Sequence, residues 1–418
     1  MAGAGADSGV GGGAGAGTEG AARAVRTVAV VGGGYGGAAV AKALDQDTDV
    51  VLIEPKDAFV HAAGALRALV RPDWAANMFF PYDRLLARGR VVRDRAASVD
   101  PGGVTLASGA RVDADFLVLA TGSDYAFPAK TETDSTAEAL RRLRVGHDEL
   151  ALSERVLIVG AGPVGLELAG EIRAVWPDKH IVVLDPAERL LSGFMPELRD
   201  DLLRQLDALD VELRLGTTLA AQPPTEPGQA KTFTVATSSG DQVTADIWFR
   251  CYGVRVNSHY LSDGRLTART AKGQVRVTDT LNVHGNGGTY DHVHDRVHDR
   301  VHVHDRVHDH VHVHDHVYAL GDLTDLAEAK MAGYAMKHAA VVAENILAQV
   351  RGERPSAVYR PSPVPSVLLP LGPGGGVGQT LSDDRPTPVP VLLPAERVAA
   401  YKGRDLLVGR FAALFGTG

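Results

Sequence analysis

Apolar residues gather along this chain in short runs that stop at glycines. Val28-Ala29-Val30-Val31 leads into Gly32-Gly33-Gly34-Tyr35-Gly36-Gly37. Val156-Leu157-Ile158-Val159 leads into Gly160-Ala161-Gly162-Pro163-Val164-Gly165. Neither run alternates with polar residues, so each reads as a strand buried on both faces. A helical stretch follows each glycine turn, and then a second apolar run. The first of these, from Asp49, closes on Glu54, and the other, from His180, closes on Asp185. Strand, glycine turn, helix, strand, acid: the order predicts two βαβ units of the dinucleotide-binding kind.

Three further apolar runs end at glycine. They are Asp115 to Ala120-Thr121-Gly122, Asp246 to Gly253, and Val317 to Gly321-Asp322. Helices are expected at 163–176, 196–208 and 329–350, the last with Met331, Tyr334, Ala335, Ala339, Val342 and Ile346 at helical spacing. Prolines at 361, 363 and 365 open a region of strands with a final amphipathic stretch. The expected organisation is a Gly/Ala tail at 1–24 and a first nucleotide domain at 25–125. A second nucleotide domain follows at 126–260, the first resumes at 261–350, and a C-terminal region covers 351–418.

The chemistry of each turn is backbone chemistry. Gly32 and Gly160 allow the tight strand-to-helix turn. Gly34 and Gly162 let the main chain approach a pyrophosphate, and Gly37 and Gly165 let helix and strand pack closely. The phosphates then meet free N–H groups at the positive end of the helix. Glu54 and Asp185 fall about 20 residues past their glycines, where a carboxylate accepts from a ribose hydroxyl.

The length of 418 residues allows two or three domains. A net charge of −8 argues against nucleic acid as a partner. Cys251 is the single cysteine, so there is neither an internal disulfide nor a Cys-x-x-Cys pair, and its strand position points to packing. The tail at 1–24 lacks a basic and then apolar segment and does not read as a signal peptide. Met1-Ala2-Gly3 is not a myristoylation start, and no run of 18 apolar residues predicts a membrane span.

Ten of the sixteen histidines lie between His292 and His316. Residues 304–313 repeat 294–303 with one change, Arg300 becoming His310. The insert, placed at 286–316, reads either as a solvated loop or as a segment whose His-x-His and His-Asp pairs ligate a metal. No metal ligand is assigned.

These motifs resemble the FAD-dependent pyridine-nucleotide oxidoreductases, and within them the apoptosis-inducing-factor-like and ferroptosis-suppressor-like branch. They are more distantly similar to type II NADH dehydrogenases. The stretches that carry the likeness include Val30 to Gly37, Lys56-Asp57-Ala58-Phe59 and Ala65-Leu66-Arg67. They continue with Leu119 to Ser123, Gly165 to Glu171, Val317 to Asp322 and Lys330-Met331-Ala332. Gly376-Val377-Gly378-Gln379 and Gly403-Arg404-Asp405-Leu406 complete the set.

The resemblance implies an α/β fold with two Rossmann-like domains, the NAD(P)H domain inserted in the FAD domain, plus a smaller C-terminal α+β region. It implies non-covalent FAD on the first turn, cradled by Gly32, Gly33, Gly34, Tyr35 and Gly36, with Glu54 on the adenosine ribose. Arg67, the backbone at Ala96 and Asp322 beside Gly321 match further FAD contacts. NADH or NADPH is implied on the second turn. Glu167 matches an acid near the nicotinamide, and Lys330 matches a lysine near the flavin ring. Thr121, Gly122 and Gly253, where the apolar strands end, join the candidate cofactor residues. The bland alternatives are a solvated helix face for Glu167 or Glu171, a helix-start surface lysine for Lys330 and a surface ion pair for Arg67.

The expected activity is an FAD-dependent NAD(P)H oxidoreductase with a quinone or another small molecule as acceptor, because no cysteine pair could relay electrons to a disulfide. Asp185 favours NADH, since a carboxylate there repels a 2′-phosphate, although Arg189 weakens this. A ferredoxin-type reductase and an NADH-responsive redox sensor are the alternatives. The stretch from Leu393 to Phe415 reads as a lid on the FAD domain or as a peripheral membrane contact. A cytoplasmic protein, at the inner face of a membrane in the second case, is expected.

Overall fold

A computed structural model describes residues 25–286, 312–382 and 388–417. The expected tail at 1–24 and the histidine repeat up to residue 311 lie outside the described residues. The first unit begins with β1 (Thr27–Val31), α1 (Tyr35–Leu44) and β2 (Asp49–Ile53). The short helix α2 (Ala65–Val70) follows, then β3 (Arg90–Val92) and β4 (Phe116–Leu119). The second unit comprises α3 (Thr136–Leu152), β5 (Arg155–Val159), α4 (Pro163–Arg173), β6 (His180–Asp185), α5 (Pro196–Ala208), β7 (Val211–Leu215) and β8 (Ile247–Arg250). The chain then returns to the first sheet with β9 (Asn282–His284), β10 (Val313–Ala319) and α6 (Ala332–Arg351). β11 (Val367–Pro370), β12 (Gly376–Leu381), β13 (Pro390–Leu393), α7 (Ala395–Val398) and α8 (Val408–Leu414) complete it.

The first sheet runs β9-β10-β4-β1-β2-β3, parallel except for the β9/β10 pair. The second runs β7-β6-β5-β8, all parallel. Strand order reverses at β1 in one and at β5 in the other. In sheets of this kind ligands settle at that switch point, outside the carboxyl ends of the strands. β1 and β5 feed Gly32 and Gly160 directly into those crevices. Because β9 and β10 come after the second sheet in the chain, the second domain is inserted in the first. Both central strands are continuous apolar runs because both faces are covered, one by helices and the other by antiparallel strands, residues 96–113 over the first sheet and 233–245 over the second; Val28 to Val30 and Leu157 to Ile158 are fully buried.

Several boundaries differ from expectation. The helix expected at 163–176 ends at Arg173, with Pro177 close behind. The one expected at 329–350 begins only at Ala332, because Met331 is extended. The strand expected at 317–322 starts four residues earlier, so His314 and His316 belong to the sheet rather than to the insert. Their period-two spacing is that of a strand. His314 is buried and 3.0 Å from the Leu266 carbonyl oxygen. Among the described residues no helix is long and apolar enough to cross a membrane.

Candidate functional site

The two turns are built alike. Gly32 has φ +101° and Gly160 +110°, in the left-handed region that favours glycine. A Cβ on Gly37 would lie 1.8 Å from the Gly32 oxygen, and one on Gly165 1.9 Å from the Gly160 oxygen. A Cβ on Gly34 or Gly162, by contrast, would meet nothing within 4 Å. Those two glycines face open space, at the N-termini of α1 and α4. That is the room a pyrophosphate needs, so the residues fit FAD on one turn and NAD(P)H on the other. Gly36 serves another purpose. Its Cβ would strike Leu320 at 2.3 Å, so its bareness lets α1 pack against β10 and α6.

Each acid is held against its turn. The Gly33 amide donates to Glu54 Oε2 at 2.6 Å, and Lys56 N donates to Oε1 at 3.0 Å. The Ala161 amide donates to Asp185 Oδ2 at 2.7 Å, and Ala187 N to Oδ1 at 2.8 Å. Tyr82 adds a clamp on the first turn alone, its hydroxyl donating to the Gly33 oxygen at 2.8 Å. Burial, then the Glu54 charge, pushes that phenol well above its ordinary range.

Thr121 and Gly122 sit where the chain crosses between domains. Thr121 Oγ1 donates to the Asn257 carbonyl at 2.6 Å, and Asn257 N donates back to Gly122 O at 3.0 Å. Ser123 Oγ donates to Asp322 Oδ2 at 2.6 Å. Lys130 Nζ donates to the Ser123 carbonyl, and burial lowers its pKa against the pull of Asp322 and Asp124. Lys330 Nζ donates to Thr324 O at 2.8 Å, and burial lowers its pKa too. Gly321, Asp322, Lys330, Met331 and Tyr334 line one small recess. Ala96 opens a separate three-stranded antiparallel sheet, paired with Leu106. Gly253 is an exposed turn after β8.

Between the two crevices lies a buried polar junction that the C-terminal segment crosses. Arg67 on α2 reaches Glu171 on α4 through Nη2 at 2.6 Å and through Nε at 3.1 Å. The same guanidinium donates to the carbonyls of Gly403 (2.6 Å) and Arg404 (2.8 Å). Both side chains of the pair are under 5% exposed. Arg67 is therefore not a surface ion-pair partner; its Nε, Nη1 and Nη2 each donate to α4 or to the C-terminal backbone. Glu171 is likewise no solvated helix position.

One turn earlier, Glu167 Oε1 is 2.8 Å from Lys402 Nζ. Burial raises the Glu167 pKa, and the Lys402 charge opposes it. His61 Nε2 is 2.6 Å from the Leu406 carbonyl, which makes Nε2 the donor and leaves Nδ1 to accept from the Tyr35 hydroxyl at 3.0 Å. Burial pushes the imidazole down to about 4, with the Leu406 carbonyl opposing and Lys402 adding to the fall. Phe411 of the last helix and Phe415 just past its end fill an aromatic nest of Tyr35, Phe59, Phe80 and Tyr82. Val398, Leu406, Phe411 and Phe415 are all buried, and Lys402 turns inward. The C-terminal stretch packs its buried apolar residues onto the first domain, as the lid reading expects. His61, Lys130 and Lys402 were missed in the sequence because nothing local marks them; each meets its neighbours only through the fold.

A family model described as pyridine nucleotide-disulphide oxidoreductase matches residues 26–288. The chain belongs to this family, and is an FAD-dependent NAD(P)H oxidoreductase. It is 31% identical over 362 residues to ferroptosis suppressor protein 1 of Taeniopygia guttata, covering 84% of this chain and 88% of that one. Apoptosis-inducing factor homolog B of Dictyostelium discoideum is 27% identical, over 85% of this chain and 89% of its own. Among solved structures, the sulfide:quinone oxidoreductase of Aquifex aeolicus superposes with a TM-score of 0.69 at 16% identity, covering 94% of this chain and 92% of the other.

Proposed function

We propose that this enzyme oxidises NADH and delivers the electrons to a quinone. The observation that carries the two-cofactor arrangement is the matched pair of open glycines, Gly34 and Gly162, each at the switch point of its own sheet. When bound, FAD supplies the redox chemistry, taking hydride from the nicotinamide and passing electrons on. The chain supplies alignment and electrostatics. Gly32, Gly33, Gly34, Tyr35 and Gly37 shape the FAD pyrophosphate seat, with Glu54 on the ribose. Asp322, Thr121, Gly122, Ala96 and Gly321 line the rest of the flavin crevice, and Lys130 and Lys330 bring cations to it. Gly160, Gly162, Gly165, Asp185 and Gly253 hold the nicotinamide cofactor, and Glu167 faces its reactive end. Arg67 ties the halves together at the junction.

Asp185 supports NADH over NADPH. Both carboxylate oxygens are fixed by backbone amides, so the charge stays where a 2′-phosphate would lie. The quinone assignment has two supports. Cys251, the single thiol, is buried and pushed up to about 12 by that burial, so no dithiol relay stands beside the flavin. The sulfide:quinone oxidoreductase shares the fold over nearly the whole chain.

The test is spectroscopic. NADH added without oxygen should bleach the flavin bands of the purified protein, and a soluble quinone should restore them promptly. Bands that stay bleached with quinone but return with a ferredoxin would replace the quinone by a protein acceptor. Bands that NADH never bleaches would sink the NADH-oxidising reading altogether.

A further inference from the structure

His338 lies on α6, one helix turn past Tyr334, and is 1% exposed. The Gly321 amide donates to its Nδ1 at 3.0 Å. That bond fixes the tautomer: Nδ1 accepts, so Nε2 carries the ring proton. Nε2 lies 2.8 Å from Glu328 Oε1, at ion-pair distance rather than as a fully aligned hydrogen bond. The other Glu328 oxygen accepts from the Tyr359 hydroxyl at 2.6 Å. The Tyr359 ring packs edge-on against the imidazole, centroids 4.2 Å apart. Glu328 and Tyr359, from two other segments, thus converge on the imidazole that caps this backbone amide. None of them is part of the nicotinamide or acceptor machinery described above.

That amide matters because it immediately precedes Asp322 in a tight turn. Gly321 has φ +69°, a conformation that few side chains would hold, and its carbonyl accepts from Thr324 N and Oγ1. The turn therefore has both backbone groups anchored, and it presents Asp322 to Ser123 and to the recess shared with Lys330. An unmet amide there would cost enough to loosen the turn.

We propose that His338, oriented by Glu328 and Tyr359, is a positioning residue that sets the Gly321-Asp322 turn for FAD binding. This rests on the assignment of Asp322 to the flavin crevice. His338→Leu keeps the bulk and removes the acceptor, and it should raise the FAD dissociation constant roughly 10-fold. Flavin fluorescence released on diluting the holoenzyme reads this directly. His338→Asn, whose Oδ1 falls at the place of Nδ1 and can accept from Gly321, should stay within about threefold of the parent. The half-saturating NADH concentration for anaerobic bleaching should change in neither variant.

Equal losses in the Leu and Asn variants, or unchanged FAD affinity in the Leu variant, would overturn the proposal. If the Leu variant does not fold, Tyr359→Phe decides. It should weaken FAD binding about threefold through the freed Glu328, and no change would overturn the idea. Asp322→Ala separates the two layers. Normal FAD retention in that variant refutes the crevice assignment itself, whereas loss there with an unaffected His338→Leu refutes only the role of His338.

Discussion

The two glycine turns share a plan but differ in how firmly they are closed. At the first, Glu54 is buried, its carboxylate is tied to the turn amide, and Tyr82 locks the carbonyl of the same residue from the other side. At the second, Asp185 is only half-buried, and no side chain plays the part of Tyr82 among the described residues. The residues flanking the second crevice, Tyr252 and Val254, are about half exposed. A turn clamped on both sides suits a group that stays through many turnovers. A turn fixed by its acid alone suits one that must enter and leave in each. The difference lies in tertiary contacts, since the local sequences are nearly interchangeable.

The largest effects should come from the closest approach of helix and strand. Gly37→Val pushes carbon into the Gly32 carbonyl and should destabilise the first domain by upwards of about 4 kcal/mol, leaving protein without flavin. Gly165→Val should fail differently, keeping flavin colour while losing the bleaching by NADH. Colour loss in both would mean that the domains do not fold as separable units. Next comes Arg67→Met. It strands the Glu171 carboxylate in a site under 5% exposed and should cost about 3–5 kcal/mol in chemical denaturation. A change below about 1 kcal/mol would show that water reaches the junction. Gly34→Val and Gly162→Val point into open space, so melting temperatures should hardly move. Each should weaken its own cofactor about 100-fold, or ~2.8 kcal/mol, and spare the other. A variant that weakens both would break the one-turn, one-cofactor correspondence.

The pattern of legibility follows from range. Gly32 to Gly37 and Gly160 to Gly165 could be read because their chemistry is local, strand and helix and backbone within a dozen residues. Glu54 and Asp185 were within reach because a βαβ unit has a nearly fixed length. Arg67 was singled out through the resemblance as an FAD contact, but its pairing was not legible, because its partner Glu171 is 104 positions away and on another domain. The lid was ambiguous for a related reason. An amphipathic stretch with Phe411 and Phe415 looks the same whether its apolar side meets lipid or an aromatic nest built from Phe59, Phe80 and Tyr82. Strand pairing of His314 and His316 was hidden by the repeat, which imposes its own periodicity on both insert and sheet.

The smallest effect, and the finest probe of the junction, concerns Lys402. Its ammonium is the nearest cation to Glu167, and the carboxyl is raised above its usual range by burial despite that charge. The folded-state pKa thus exceeds the unfolded one. Ionising Glu167 inside the protein disfavours the fold, and stability falls as pH rises through the folded value. Lys402→Met removes the opposing charge, so the carboxyl should rise further and the penalty should grow. The variant should lose about 1 kcal/mol relative to the parent near pH 8, and the gap should close towards about pH 4, the ordinary carboxylate range, where a further rise of the folded pKa costs nothing. Adding Glu167→Gln should abolish the pH dependence of the gap. Denaturant midpoints at the two pH values measure it. A gap that is the same at both would mean that Lys402 acts through its bond to the Leu368 carbonyl and through packing, and that the second domain's acid is not restrained by the lid.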